Sequence, residues 1–493
     1  MSSQRFEPVP DRDAATRLGA ALRRIDYSEQ AIDNLLGEDA LSTDAADVPV
    51  HERRLRGDSS PLAIAARFFL LQLPVDLSAA VDALAQDGID ALLALGLAAR
   101  DGQQLVPLGR LVPAEELLMA FDGFARGVDD PPQYVAPYTP TASWLASLTP
   151  RRHVARALDV GTGNGIHALL AAEHSDHVIA TDVNQRALAF TAINAALNEL
   201  DNIETRSGSL FEPVAGEKFD LITCNAPYVV SPESKWEYRD GGLPADELSE
   251  RVVRQAAESL TEDGYASLLV SWVAYDEDDP DARLDDWLDG CGCDAWVLGL
   301  AGADPLEHAA GWNEHLASEP EAFGAALDEW TDYFSSLGVE WISEGAVLLH
   351  RRSGEEHVIR VDPVDEETLE FAGDQIERVF ASHARLAGLA KPDGLLDLAP
   401  VLAREVDVEH RREHGSREPE TVLVLDEGTM TEYELDFDVA EVVALFDGEL
   451  TLGRAIDRVV RAYELDRGEE AELREDSLAE VTDLLALGLA ELR

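Results

Sequence analysis

The stretch Ala157–Ala172, ALDVGTGNGIHALLAA, constrains this chain more than any other. A short apolar run passes through Gly161, Gly163 and Gly165 into an alanine- and leucine-rich segment. That order predicts a strand, a tight glycine turn and a helix start, the opening unit of a doubly wound sheet around a nucleotide-like ligand. Glycine lets a ligand reach bare backbone because no Cβ intrudes, and the amides of the helix start offer donors. The turn alone does not select the ligand. Its spacing is G-x-G-x-G behind Asp159, not the G-x-G-x-x-G of dinucleotide sites.

Three later stretches narrow the choice. HVIATDVN predicts a second strand ending in Asp182 and Val183, where a carboxylate can hold a ribose diol. Gly208-Ser209-Leu210-Phe211 follows, and FDLITCNAPYVV predicts a hydrophobic strand ending in Asn225-Ala226-Pro227-Tyr228. Asp159 and the glycine turn resemble motif I of class I S-adenosylmethionine-dependent methyltransferases. GSLF resembles the GDLF segment that lines the adenine pocket in that family, with Ser209 in place of Asp. Asn225–Tyr228 resembles the N-P-P-Y motif of amino-group methyltransferases, with Ala226 in place of the first proline. Asp240-Gly241-Gly242 resembles the loop after that motif in release-factor glutamine methyltransferases.

The resemblance implies the small-domain group, near the glutamine-amide and ribosomal-RNA guanine enzymes, with S-adenosyl-L-methionine as cofactor. It assigns cofactor contacts to Asp159, Gly161, Thr162, Gly163, Gly165, Asp182, Val183, Ser209, Leu210 and Asn225. It makes Asn225, Ala226, Pro227 and Tyr228 the catalytic turn. Methyl transfer from a sulfonium is an in-line displacement, so positioning does most of the work. An amide or aromatic amino nitrogen is a poor nucleophile because its lone pair is delocalised. The Asn225 side-chain carbonyl and the Ala226 backbone carbonyl would each take one N–H of the target and turn that lone pair toward the methyl group. Pro227 stiffens the turn, and Tyr228 offers a flat face for a planar group. No ionised general base is required.

The chain has 493 residues, so two to four domains are expected. No apolar run reaches membrane-spanning length and the N-terminus lacks an apolar signal core, so a cytoplasmic location is expected. Three cysteines argue against a disulfide framework. Cys291-x-Cys293 has no partner cluster to complete a metal site, so no metal is expected. The net charge of −58, with only three lysines, repels phosphate backbones and disfavours a nucleic-acid partner. Solubility, high-salt adaptation or a base-composition bias would account for the acidity equally well.

The expected architecture is α/β. A seven-stranded, mostly parallel, doubly wound sheet over 151–352 is flanked by mainly helical, winged-helix-like regions at 1–130 and 353–493. In the first, helices and two short strands around Asp101-Gly102 give the winged-helix outline, but Gly88–Ala99 holds no Lys or Arg, which favours protein docking over DNA. Residues 131–150, proline-studded and aromatic, read either as a lid over the site or as a linker. A helical insertion near 303–338 places Trp312, Trp330, Tyr333 and Phe334 at helical spacing, the pattern of a cap or of the buried face of added helices. His167 and His174 read as surface residues. Three functions stay open on the sequence: methylation of a protein amide, perhaps on a translation factor; methylation of an rRNA, tRNA or DNA amino group; or cofactor binding without catalysis. A protein substrate is favoured, and the oligomeric state is left open.

Overall fold

A computed structural model describes residues 6–37, 40–41, 44–124, 131–225, 227–233, 242–354, 356–364, 369, 371–389, 391–412, 420–429 and 431–492. At its centre lies one sheet whose strands we number along the chain. They are β1 (Val154–Val160), β2 (Ser175–Asp182), β3 (Ile203–Ser207), β4 (Phe219–Asn225), β5 (Leu260–Ala274), β6 (Cys293–Ala303), β7 (Trp341–Arg351) and β8 (Ile359–Pro363). Their order across the sheet is β8-β6-β7-β5-β4-β1-β2-β3. All neighbours are parallel except that β7 runs antiparallel between β5 and β6. The continuous hydrophobic character of β1, β4 and β5 follows from this, since a parallel sheet is covered on both faces.

Among the described residues the sheet has eight strands, seven of them within 151–352 and one beyond. The extra strand lies beyond residue 352 and pairs in parallel with β6, from Ala295↔Ile359 to Gly299↔Pro363. It covers the edge that β6 would otherwise expose, a standard way to protect unpaired backbone groups. Its alternating, mostly exposed side chains carry no signature of a buried strand, so periodicity did not join it to the sheet.

Residues before the sheet do not stand apart from it. Helix Arg12–Arg24, started by the Asp11 side chain accepting from the Ala14 amide, packs on helix Gln185–Leu197. A Cβ on Gly19 would meet the Leu197 carbonyl oxygen at 2.2 Å, so only glycine permits this approach. Next in space come helix Pro61–Ala65 with its continuation Ala66–Leu70, the short strand Val75–Asp76, and helix Leu77–Ala94, which is broken at Ala85 by a φ of 62°. The hairpin Ala98–Asp101 and Gln104–Pro107 completes a small antiparallel sheet with Val75–Asp76. A second hairpin, Arg110–Ala114 and Leu117–Phe121, is buried throughout. One hydrophobic core runs from Leu18 and Phe69 through Leu118 to Leu169, Phe190 and Ile193, on the helices that follow β1 and β2.

After β8, helix Gly373–Ala387 lies on the opposite face, where Ile376, Val379 and Phe380 pack among Ala157, Val178 and Leu348. The last residues form a separate core. It holds an antiparallel sheet of Val406–Arg411, Glu420–Leu425 and Glu432–Leu435, and the helices Phe437–Val443, Leu452–Tyr463 and Arg467–Ala486. The strand Ala490–Leu492 returns to pair with Pro400–Leu402.

Candidate active site

The glycine turn forms where β1 gives way to helix Ile166–Ala172. Gly161, Gly163 and Gly165 all have positive φ, 69°, 57° and 92°. At Gly165 a Cβ would also meet Thr191 Cγ2 at 2.9 Å and Leu169 Cδ1 at 3.1 Å, so both backbone and packing demand glycine there.

Asp159, expected among the cofactor contacts, is 1% exposed beneath this turn. Its Oδ2 accepts from the Thr162 hydroxyl at 2.7 Å and the Ala168 amide at 3.2 Å, and its Oδ1 accepts from the Thr223 hydroxyl at 3.0 Å. It ties β1, the turn, the helix start and β4 together. Burial raises its carboxyl pKa to about 6, and the three donors hold it from rising further.

Asp182, at the end of β2, accepts the Gly163 amide at 2.9 Å and the Asn184 amide at 2.8 Å. It thus braces the glycine turn, while a carboxylate has about four acceptor sites and can take further donors. Val183 beside it is 54% exposed, an apolar surface at the carboxyl end of the sheet. Ser209 is exposed and Leu210 half-buried with a φ of 47°. Gly208 before them abuts Pro213, where a Cβ would come within 2.5 Å. Bare backbone at Gly163, a carboxylate at Asp182, an apolar shelf at Val183 and an open hydroxyl at Ser209 suit an adenosine-bearing ligand with a ribose diol.

Asn225 closes β4 opposite Leu269 of β5 and is half-buried. Among the described residues its side-chain amide has no hydrogen-bond partner. Pro227 and Tyr228 follow, both half-buried, and Tyr228 packs against the core around Leu145, Leu148 and Leu269. Burial, with Glu344 nearby, pushes the Tyr228 hydroxyl pKa upward, so the ring stays neutral. Ala226 lies outside the described residues, as do Asp240 and Gly241 of the expected loop.

Segment 131–138 runs over these loops. The Asn164 side chain donates to the Ala136 carbonyl at 3.1 Å and the Asn184 side chain to the Gln133 carbonyl at 3.2 Å. Asp122 accepts the Val135 amide at 2.9 Å and pairs with Arg186, Nε to Oδ2 at 2.9 Å, with both side chains almost buried. Sequence reasoning missed this web and also Asn194. That residue, 0% exposed, donates to Ala120 at 2.9 Å and Asn164 at 2.8 Å and accepts from the Ala120 amide at 2.7 Å. An asparagine in a helix interior is the one signal that could have pointed to it.

His167 is not on the surface as expected. It is 6% exposed, and desolvation lowers its pKa to about 4 against the opposing pull of the Glu115 carboxylate. His174 is half-buried, with Nδ1 3.0 Å from the Arg152 carbonyl. Among the described residues no His/Cys/Asp/Glu cluster has metal-binding geometry, and no helix is long and apolar enough to cross a membrane.

Residues 140–275 match the family model described as methyltransferase small domain, which bears out the likeness read from the motifs. Residues 24–122 match a second model, a domain of unknown function (DUF7059). A ribosomal protein uL3 glutamine methyltransferase of Bradyrhizobium diazoefficiens is 34% identical over 31% of this chain and 52% of its own length. A release factor glutamine methyltransferase of Aliivibrio fischeri is 36% identical over 25% of this chain and 41% of its own. The chain thus spans about half the length of the curated relatives it matches. A solved ribosomal protein L11 methylase of Lactobacillus delbrueckii is similar over 44% of this chain and 81% of its own, with 19% identity and a TM-score of 0.26.

Proposed function

We propose that this chain, which carries a methyltransferase small domain at residues 140–275, is an S-adenosylmethionine-dependent N-methyltransferase acting on a side-chain amide of a protein, with glutamine as the acceptor. The observation that carries the reading is Asn225: a half-buried amide at the carboxyl end of β4, without a partner among the described residues, two strands from Asp182. Neither side-chain atom of Asn225 is among the buried polar atoms without a partner, so the amide stays within reach of solvent and of a ligand.

The cofactor, when bound, supplies an electrophilic methyl group on a sulfonium. This chain's residues do the rest. The Asp182 carboxylate accepts the ribose hydroxyls while keeping the Gly163 amide in place, and Val183 and Leu210 border the adenine. Asp159 acts from below as a positioning residue, since its oxygens are engaged by Thr162, Thr223 and Ala168. The Asn225 carbonyl accepts one N–H of the acceptor amide, and the backbone carbonyl of Ala226 takes the other on the strength of the sequence alone. Tyr228 gives the planar amide a face to lie on. Segment 131–138 serves as a lid, because its carbonyls are already tied to Asn164 and Asn184 at the rim of the cofactor loops.

We read residues 61–107 as a winged helix, because helix, strand, two helices split at Ala85, and a hairpin follow one another in that order. Its second helix half, residues 86–94, has no Lys or Arg, so it serves protein docking. A cytoplasmic location and a translation-component substrate go with this reading, as the names of the relatives suggest. The test is to incubate the protein and an Asn225→Ala variant with methyl-labelled cofactor and cell extract, then digest with protease or nuclease. Label released only by protease, and absent with the variant, is expected. Label released by nuclease would replace the protein amide with a base amino group.

A further inference from the structure

The pair Cys291-x-Cys293, which completes no metal site among the described residues, stands in the fold as two thiols set against each other. Cys291 lies in the loop between helix Ala282–Leu288 and β6, and Cys293 is the first residue of β6. Gly292 between them has a φ of 75°, a conformation that glycine adopts without strain. The Cys291 sulfur is 3.7 Å from the Cys293 carbonyl oxygen, and the Cys293 sulfur is 3.9 Å from that of Cys291. Both side chains therefore stand on one side of the loop, and the thiols hydrogen-bond each other. A disulfide closes only between side chains aimed at each other, and these are.

The two thiols are not equivalent. Cys291 is half-buried, whereas Cys293 is 0% exposed in the core with Ala295, Val297 and Val347. The Arg351 guanidinium lies against the loop, its Nη1 donating to the Ala257 carbonyl at 2.9 Å and to the Cys291 carbonyl at 3.4 Å. The hydrogen bond from Cys293 favours the Cys291 thiolate and, with the charge of Arg351, pulls its pKa down to about 7 against the effect of burial. The same hydrogen bond and burial push the Cys293 thiol up, so it keeps its proton. Cys291 is thus the partly exposed nucleophile and Cys293 the buried thiol that acts after it. Cys224, the third cysteine, is 0% exposed on β4 and shielded from dissolved oxidants.

We propose that Cys291 and Cys293 form a reversible dithiol–disulfide site whose oxidant is a small neutral or cationic disulfide. The Cys291 thiolate attacks one sulfur of the oxidant, whose S–S bond breaks and releases a first thiolate. Cys293 gives its proton to that thiolate and attacks the Cys291 sulfur of the mixed disulfide. The second thiolate leaves and takes a proton from solvent. Two cysteine thiols are oxidised, and one disulfide is reduced to two thiols. Charge selects the oxidant. The chain carries −58, and Asp285, Asp286 and Asp289 stand exposed in and just after the helix that leads to Cys291. Such a surface repels anionic disulfides and draws cationic ones. The site lies apart from the methyl-transfer residues. Asn225, Leu269, Ala346 and Leu298 stand in one register row, and Cys293 lies five residues before Leu298, about 17 Å toward the amino end of β6.

The test is to mix the reduced full chain with cystamine or glutathione disulfide at equal concentration, quench with acid, and read intact mass and peptide maps. Cystamine should remove two hydrogens and link Cys291 to Cys293 within the monomer, and dithiothreitol should restore both thiols. Cystamine should react at least about 10-fold faster than glutathione disulfide at low salt, the gap closing as salt rises. Alkylation of Cys291 by iodoacetamide in the reduced wild type should rise through a midpoint at about pH 7, not the ordinary value of about 8.5. Cys293→Ser should stop at the mixed disulfide on Cys291, with Cys293→Ala as a second variant, and cofactor affinity should not change in either. Cross-linked dimers, a mixed disulfide that persists in the wild type, or an unreactive Cys291 would overturn the dithiol site. Equal rates with the two oxidants, or a faster reaction with glutathione disulfide, would overturn the choice of oxidant.

Discussion

Asp159→Asn isolates a single buried charge at the root of the site. Asp159 is 1% exposed, and its carboxyl pKa moves from the ordinary 3.8 to about 6 because burial disfavours the charged form. Asparagine has the same shape and can keep every contact. Its carbonyl takes the Thr162 hydroxyl and the Ala168 amide, and its NH₂ donates to Thr223 Oγ1, whose hydroxyl turns from donor to acceptor. With the folded pKa above the unfolded one, the folded state binds the proton more tightly. The wild-type stability from this group is then fully present below about pH 4 and is lost as pH rises through 6. At 1.36 kcal/mol per pKa unit, the loss is about 3 kcal/mol. Stability of Asp159→Asn minus that of wild type should therefore grow by about 2 kcal/mol between pH 4 and pH 7. The many other carboxylates cancel in this difference. Urea unfolding can be followed through Trp272, Trp287 and Trp296, all buried in or against the sheet. Parallel curves for the two proteins across that range would refute the account of Asp159 as a charge held at a cost to stability.

Asn225→Ala should leave the fold and much of the cofactor affinity intact while turnover falls about 10²-fold or more, as for loss of one preorganised contact to the transition state, read by single-turnover label transfer. Asp182→Ala removes the acceptor of the Gly163 and Asn184 amides, and calorimetry should show cofactor affinity weaker by about 1.5–3 kcal/mol in a folded protein. Arg186→Ala strands the nearly buried Asp122 carboxylate and should cost about 3–5 kcal/mol in chemical denaturation, with Arg186→Ala/Asp122→Ala costing less than the single change. The net charge of −58 predicts no retention on duplex DNA at physiological salt; micromolar binding with a steep salt slope would count against the docking role of residues 61–107.

The sequence by itself determined the local geometry of the candidate site, because each piece is local. A strand, a turn whose glycines need positive φ, and a helix start occupy consecutive residues, so Gly161, Gly163, Gly165, Asp182 and Asn225 stand where their spacing put them. Hydrophobic runs marked the covered parallel strands for the same reason. What only tertiary structure decided is which surfaces meet. Periodicity tells that a helix face is buried but not what buries it, so His167 looked exposed although every residue of helix Ile166–Ala172 is buried. The alternating strand β8 joined the sheet through backbone pairing with β6, which leaves no side-chain signature. Asn194 meets Ala120, and His308 meets Val230, across gaps of 74 and 78 residues. Such contacts are fixed by the packing of whole elements, and no window of sequence contains both partners.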